Sequence, residues 1–442
     1  MIPSKNLRIQ NMKTTILYSL ICFLFIGNIV AQQTPAEKQT TAITIEGATA
    51  HLGNGKVIEN ALLMFSNGKL SFVGSANTKI ARQGTVINAT GKHVYPGFIA
   101  ANTSLGLAEI DAVRATRDFD EIGNMLPHIR SIIAYNTESR VIETMRPNGV
   151  FTAQVTPRGG RISGTSSVVQ LDAWNWEDAA VKTDDAIHLN WPQLFSRGRW
   201  WLGEDTSLKP NKNYQKAITQ VSTFFKEAKQ YLNGNRSPKS LPYEALEGVF
   251  KGTQKVFIHV HGKKSITDAV STFIDLGVKN LVIVGGHEAE KTADLLKTYN
   301  VAVVLERAHR LPKSEDEDYD LPFRSAKILT DAGLLVGVGM NGDMERMSTR
   351  NLPFYAGTYA AYGLPKEKAV QLITGNNAKI LGIDAFSGTL EVGKDATLFI
   401  SEGDALDMRG NIISEAFIQG RKISLHTHQT KLWKRYSNKY KK

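Results

Sequence analysis

Between residues 255 and 340 the chain repeats one unit, a short apolar run followed by a helical pattern. The runs are KVFIHVHG (255–262), NLVIVGG (280–286), VAVVLERAH (301–309) and LLVGVGM (334–340). SITDAVSTFIDLG and EAEKTADLLKTYN stand between them. Runs apolar at every position fit strands covered on both faces, and starts roughly 20 to 30 residues apart leave room for a crossover helix. That is βαβ spacing, and it implies a parallel sheet.

The flanks read differently. From Ala42 to Lys92, and again from Gly388, short β-type runs are separated by turns, with Asn-Gly at 54–55 and 67–68 as hairpin signals. A βα stretch of roughly 280 residues suits an eight-unit barrel better than an open sheet. The expected fold is α/β, a (β/α)8 TIM-type barrel with a small composite β-sandwich domain built from both chain ends. The boundaries read as a linker over 32–43, the first part of the β domain over 44–96, the barrel over 97–384, the second part over 385–426 and a basic tail over 427–442. Within the barrel, 213–232 predicts an amphipathic helix, while the aromatic-rich AWNWEDA and WPQLFSRGRWWLG read as loop insertions.

Residues 1–31 read as a signal peptide, its pattern starting at Met12, with Lys13, an apolar stretch from Ile16 to Val30 and a small residue at Ala31 before Gln32. The stretch is short for a membrane span. The expectation is a protein exported to the periplasm or secreted, with no stable membrane span after processing. An uncleaved anchor is the alternative. The only cysteine, Cys22, lies in this segment, which excludes disulfides, thiolate metal sites and a cysteine nucleophile elsewhere. Of the net charge of +11, the first 31 residues carry +3 and the last twelve +6, leaving +2 for the rest. A nearly neutral body with no nucleic-acid motif argues against nucleic-acid binding.

GKHVYPGFIAANTSLGL (91–107) resembles the first-strand segment of the amidohydrolase superfamily, whose usual form is G-K-x-V-x-P-G-F-I-D-x-H-x-H. NGKLSFVG (67–74) resembles its sheet turn, and ITGNNAKILGID (373–384) and GTLEVGKDATLFI (388–400) its closing helix and returning strand. NGVFTAQVTPRGGRISGT (148–165) and RNLPFYAGTYAAYGL (350–364) are similar to the imidazolonepropionase-like and prolidase-like branch. The resemblance implies one or two divalent metals at the C-terminal mouth of the barrel. Their ligands would be two first-strand His, one His each on the fifth and sixth strands, and an eighth-strand Asp that also serves as general base.

The chain departs from that pattern. Asn102 and Ser104 stand in place of the H-x-H pair, Ala100 in place of the preceding Asp, and Asn341 in place of the eighth-strand Asp. Asn and Ser are weak ligands where zinc wants imidazole or carboxylate. Asp343 could substitute if the register shifts. The fifth and sixth strands keep their imidazoles: His259 and His261 at i and i+2 face one side of a strand, and His287 ends the next. His259 is the preferred fifth-strand ligand, with His261 close behind. Together the three could hold at most one ion, most simply zinc, with an open position for water. The bland reading is that they are hydrogen-bonded remnants in an empty pocket holding no metal.

Arg307 and His309 are candidate substrate-binding residues, with a core or surface role as the alternative. Asp316, Glu317, Asp318 and Asp320 read as a solvated acidic loop, and His426 and His428 as solvated. The function implied by the resemblance is metal-dependent hydrolysis of a carbon–nitrogen bond, amide or cyclic amide, in a small or peptide-like substrate. The competing reading is an inactive member that binds a peptide, or assembles with itself or an active relative.

Overall fold

The computed structural model describes residues 34–313, 316–342 and 344–440. The expected signal peptide at 1–31 and Asp343 lie outside the described residues. Both chain ends feed one eight-stranded sheet. Its strands are β1 (Ile43–His51), β2 (Val57–Ser66), β3 (Lys69–Ser75), β4 (Thr85–Asn88) and β5 (His93–Pro96), joined by β16 (Leu398–Ser401), β17 (Ile413–Ile418) and β18 (Arg421–Lys422). The order is β18-β17-β16-β5-β1-β2-β3, with β4 beside β1. Asn67 and Gly68 both take positive φ, 50° and 78°, so the predicted Asn-Gly signal turns β2 into β3. Ile45, Leu63, Phe65, Val94, Leu398 and Phe417 form the buried face, which contains residues more than 300 positions apart in sequence.

The second eight-stranded sheet contains β6 (Phe98–Thr103), β7 (Val150–Val155), β8 (Ile162–Gln170), β9 (Ala180–Asn190), β12 (Lys255–Val260), β13 (Leu281–Gly285), β14 (Ala302–Leu305) and β15 (Val336–Val338). A small hairpin, β10 (Phe195–Ser196) with β11 (Lys209–Pro210), branches off in the aromatic insertion. A parallel bridge between Ala101 and Gly339 joins the two edge strands, with Met340 N–H donating to Ala101 O at 3.0 Å. This closes the sheet into the expected barrel.

One strand departs from eight repeated βα units: β8 runs antiparallel to both β7 and β9. Connections over 156–161 and 171–179 are too short for a crossover helix, so this part of the barrel is a meander. From β12 onward the βα repeat holds, with helices Lys263–Asp275, Ala293–Thr298 and Leu321–Asp331. Helix Tyr214–Asn233, before β12, buries Tyr214, Ile218, Val221, Phe225 and Ala228, the helical stripe read in the sequence. Strand alternation sorts the side chains. Phe257, Val282, Val284 and Val304 fill the interior, while Ile258, Ile283 and Val303 pack outward with Phe225 and Phe273. The C-terminal ends of seven strands point to one rim, where the loops carry the polar residues.

Candidate metal centre at the barrel mouth

Three consecutive parallel strands each deliver one side chain just past their last apolar residue. His261 follows β12, His287 follows β13 and Glu306 follows β14. Ligand atoms of the three lie within 4.8 Å of one another, and among the described residues this is the group of three that could hold a metal ion. His287 Nε2 is 3.1 Å from Glu306 Oε2, and His261 Nε2 is 3.7 Å from Oε1. The two imidazoles stack with centroids 4.1 Å apart. Asn341 Nδ2 donates to Glu306 Oε1, and Tyr359 OH donates to the Glu306 carbonyl at 3.2 Å.

Backbone shape makes the cluster fit. Gly285 has φ +93°, and a Cβ there would lie 2.4 Å from the His261 ring and 3.1 Å from Glu306 Oε1. Only glycine leaves that space. Burial lowers the His261 pKa to about 4 against the opposing pull of Glu306, so the ring is neutral at pH 7. Burial alone would raise the Glu306 carboxyl. The His287 hydrogen bond and the two imidazoles outweigh it and hold the group below the usual carboxylate range. His261 Nδ1 is buried and has no hydrogen-bond partner. Two imidazoles and one carboxylate, with a buried nitrogen of His261 unspent, fit a single divalent cation, the donor set of known His2Glu sites.

His259 takes no part in this convergence. It lies deeper in the barrel, with Nε2 3.0 Å from His188 Nδ1. Ser166 Oγ donates to Asp185 Oδ1 at 2.7 Å, so the hydroxyl accepts from His188 Nε2 at 3.0 Å, leaving His188 Nδ1 to accept from His259. The His259 Nε2 that a metal would need therefore holds a proton. Gln154 completes the network, donating to Asp185 Oδ2 and accepting from Asn102 N–H. Burial lowers His259 to about 3 and His188 well below its ordinary value.

The H-x-H positions have other partners. Asn102 takes a left-handed φ of 55°. Its Nδ2 donates to Met340 O at 2.7 Å, and its Oδ1 accepts from Arg158 Nη1 at 2.7 Å. Arg158 Nη2 also reaches Glu345 at 3.1 Å. Glu345 in turn accepts from Ser104 N–H at 2.7 Å and Thr103 Oγ at 2.8 Å. A guanidinium, rather than a cation held by imidazoles, thus sits against the first strand. Beside it opens a cavity of about 450 Å³ lined by Ser104, Arg117, Arg158, Asn341, Glu345 and Arg346. Arg346 is 3% exposed and ion-paired with Asp111, which also lines the cavity, while the Nε atoms of Arg346 and Arg117 are buried without a hydrogen-bond partner.

Arg307 and His309 extend from the same β14 loop as Glu306, but neither is among the cavity-lining residues. His309 Nε2 bonds Thr358 Oγ at 2.8 Å, and its ring meets Tyr355 edge-on. The acidic loop is ion-paired rather than simply solvated: Glu317 pairs with Arg310, and Asp318 and Asp320 with Arg324. Sequence reasoning missed Glu306, Arg158, Glu345 and His188. Glu306 had a readable signal, a carboxylate one residue beyond an apolar strand run. The others act only through long-range contacts.

Residues 256–423 match the model of the amidohydrolase family. An amidohydrolase from Thermotoga maritima shares the fold with a TM-score of 0.74, at 23% identity over 86% of this chain and 99% of that one. A prolidase solved with N-methylphosphonate-L-proline gives 0.53, at 16% identity over 87% of this chain and 100% of its own. A Xaa-Pro dipeptidase with methionine in its active site gives 0.51, at 14% identity over 87% and 100%. No curated protein sequence matches.

Proposed function

We propose that this chain, whose fold and family match support the amidohydrolase superfamily and a hydrolase acting on amide bonds, cleaves a carbon–nitrogen bond of a small or peptide-like substrate at the barrel mouth. The convergence of His261, His287 and Glu306 carries this reading. They would hold one divalent ion, and zinc suits the donor set. Such an ion supplies Lewis acidity toward a carbonyl and lowers the pKa of water. Around it, Asn341 and Tyr359 fix the orientation of Glu306. Arg158 presents a fixed positive charge to the substrate side of the first strand, where charge developing on an amide oxygen would be stabilised. The unspent Nε donors of Arg117 and Arg346, the latter already ion-paired with Asp111, favour a substrate that carries a carboxylate.

The second reading, an inactive binding or assembly partner, draws on Asn102 and Ser104. Asn102 spends its side chain on Met340 O and Arg158, and Ser104 offers only a hydroxyl, a weak ligand. Elemental analysis of the purified protein after dialysis against zinc separates the two. One equivalent in the wild type, lost in Glu306→Gln, together with hydrolysis of N-acyl amino acids or dipeptides, is the expected result. Metal-free protein with no turnover makes the binding reading the correct one. Export is inferred from the sequence of residues 1–31 alone.

A further inference from the structure

Among the described residues, the helix His428–Tyr440 is tied to the rest of the molecule only at its start. His428 N–H donates to the buried carboxylate of Glu143 at 2.7 Å, and the Thr427 hydroxyl caps Thr430 N–H at 3.0 Å. Beyond that point no residue of the helix is buried. Its side chains are nevertheless sorted. At about 100° per residue, Leu432, Tyr436, Tyr440 and Trp433 fall in one arc of about 100°. Lys434, Lys431, Arg435 and Lys439 take the other side. Trp433 is 71% exposed and Tyr440 74%. The last twelve residues contain six bases and no acid.

Water leaves the aromatic arc without an apolar partner and the basic side with like charges crowded together. Thirteen residues is marginal for a helix without tertiary support, and the i,i+4 pairs Lys431/Arg435 and Arg435/Lys439 repel. Trp and Tyr combine an apolar ring with a polar tip, which suits them to the boundary between headgroups and acyl chains. A surface that is apolar just below an anionic layer satisfies both faces at once. Charge complementarity selects that surface: phosphate for the basic flank and acyl chain for the aromatic arc.

We propose that His428–Tyr440 is a lipid-docking arm that seats the protein on an anionic membrane surface, with Trp433 and Tyr436 in the interface. The test uses the full chain with vesicles of phosphatidylcholine alone and with an equimolar share of phosphatidylglycerol. Co-sedimentation should require the anionic lipid and weaken at high salt. It should fall more than about tenfold when Lys431, Lys434, Arg435 and Lys439 are all changed to Gln, because each base near such a surface contributes measurably. Brominated acyl chains should quench tryptophan emission in the wild type and much less in Trp433→Phe. Residues 1–33 contain no Trp, so the N-terminal segment cannot produce that signal. Equal sedimentation with both vesicle types, or quenching that survives Trp433→Phe, would overturn the proposal. So would self-association in solution, abolished by Trp433→Ser, in a protein whose vesicle binding that substitution leaves unchanged.

Discussion

At the scale of single residues, the mouth of the barrel is governed by which nitrogen of each imidazole is already spent. His261 keeps a free buried nitrogen, whereas His259 is protonated toward His188 and His188 toward Ser166. His188 is fully buried and its pKa lies well below the ordinary 6.5, so the native state resists its protonation. The unfolded chain binds this proton below about pH 6.5, so stability falls as the pH drops through that value toward the folded pKa. His188→Gln keeps a hydrogen-bonding side chain and removes the titration. Urea midpoints between pH 7 and 5 should decline less steeply in the variant, by at most about 1.4 kcal/mol per pH unit from this group. Parallel profiles would show that His188 charges without cost in the fold.

At the scale of elements, the loop after β7 decides how many metals the barrel can take. Arg158 lies in that loop, and its guanidinium bridges Asn102 and Glu345. Rewriting the strands as Asn102→His, Ser104→His and Asn341→Asp restores ligand types but leaves a fixed cation beside them. A divalent ion placed there would meet like charge, so the triple variant should gain no second equivalent of zinc by elemental analysis. Adding Arg158→Ala to the set should raise occupancy. A second equivalent already in the triple variant would show that the guanidinium swings away. The reversed strand β8 belongs to the same scale: TPRGGR (156–161) is a turn, not a crossover, and it is what brings Arg158 over the first strand.

For the whole molecule, the composite sheet makes the two chain ends one folding problem. A chain ending after Asp384 loses β16 to β18, and with them the fully buried Leu398, Phe399, Ile400, Phe417 and Ile418. At about 1.5–3 kcal/mol each, that loss is on the order of the entire stability of a domain. The truncated protein should be insoluble on expression. A soluble chain with a cooperative thermal transition would refute the shared core. Export is also tested on the intact molecule: mass spectrometry of secreted protein should find an N-terminus near Gln32, and an intact leader would contradict cleavage there.

The amino-acid sequence by itself determined the barrel class and the composite sheet. Apolar runs at βα spacing and Asn-Gly turns are local patterns, readable because strand burial and turn conformation are imposed within a few residues. It also determined that His261 and His287 come from neighbouring strand ends. Tertiary structure alone decided that β8 runs backwards and that Glu306 is their third partner. It also made His259 part of a buried chain with His188, Ser166 and Asp185, and covered the first strand with Arg158. Each of these depends on which side chains closure of the barrel brings within hydrogen-bonding distance. Partners such as Thr103 and Glu345, 242 positions apart, leave no periodicity to read.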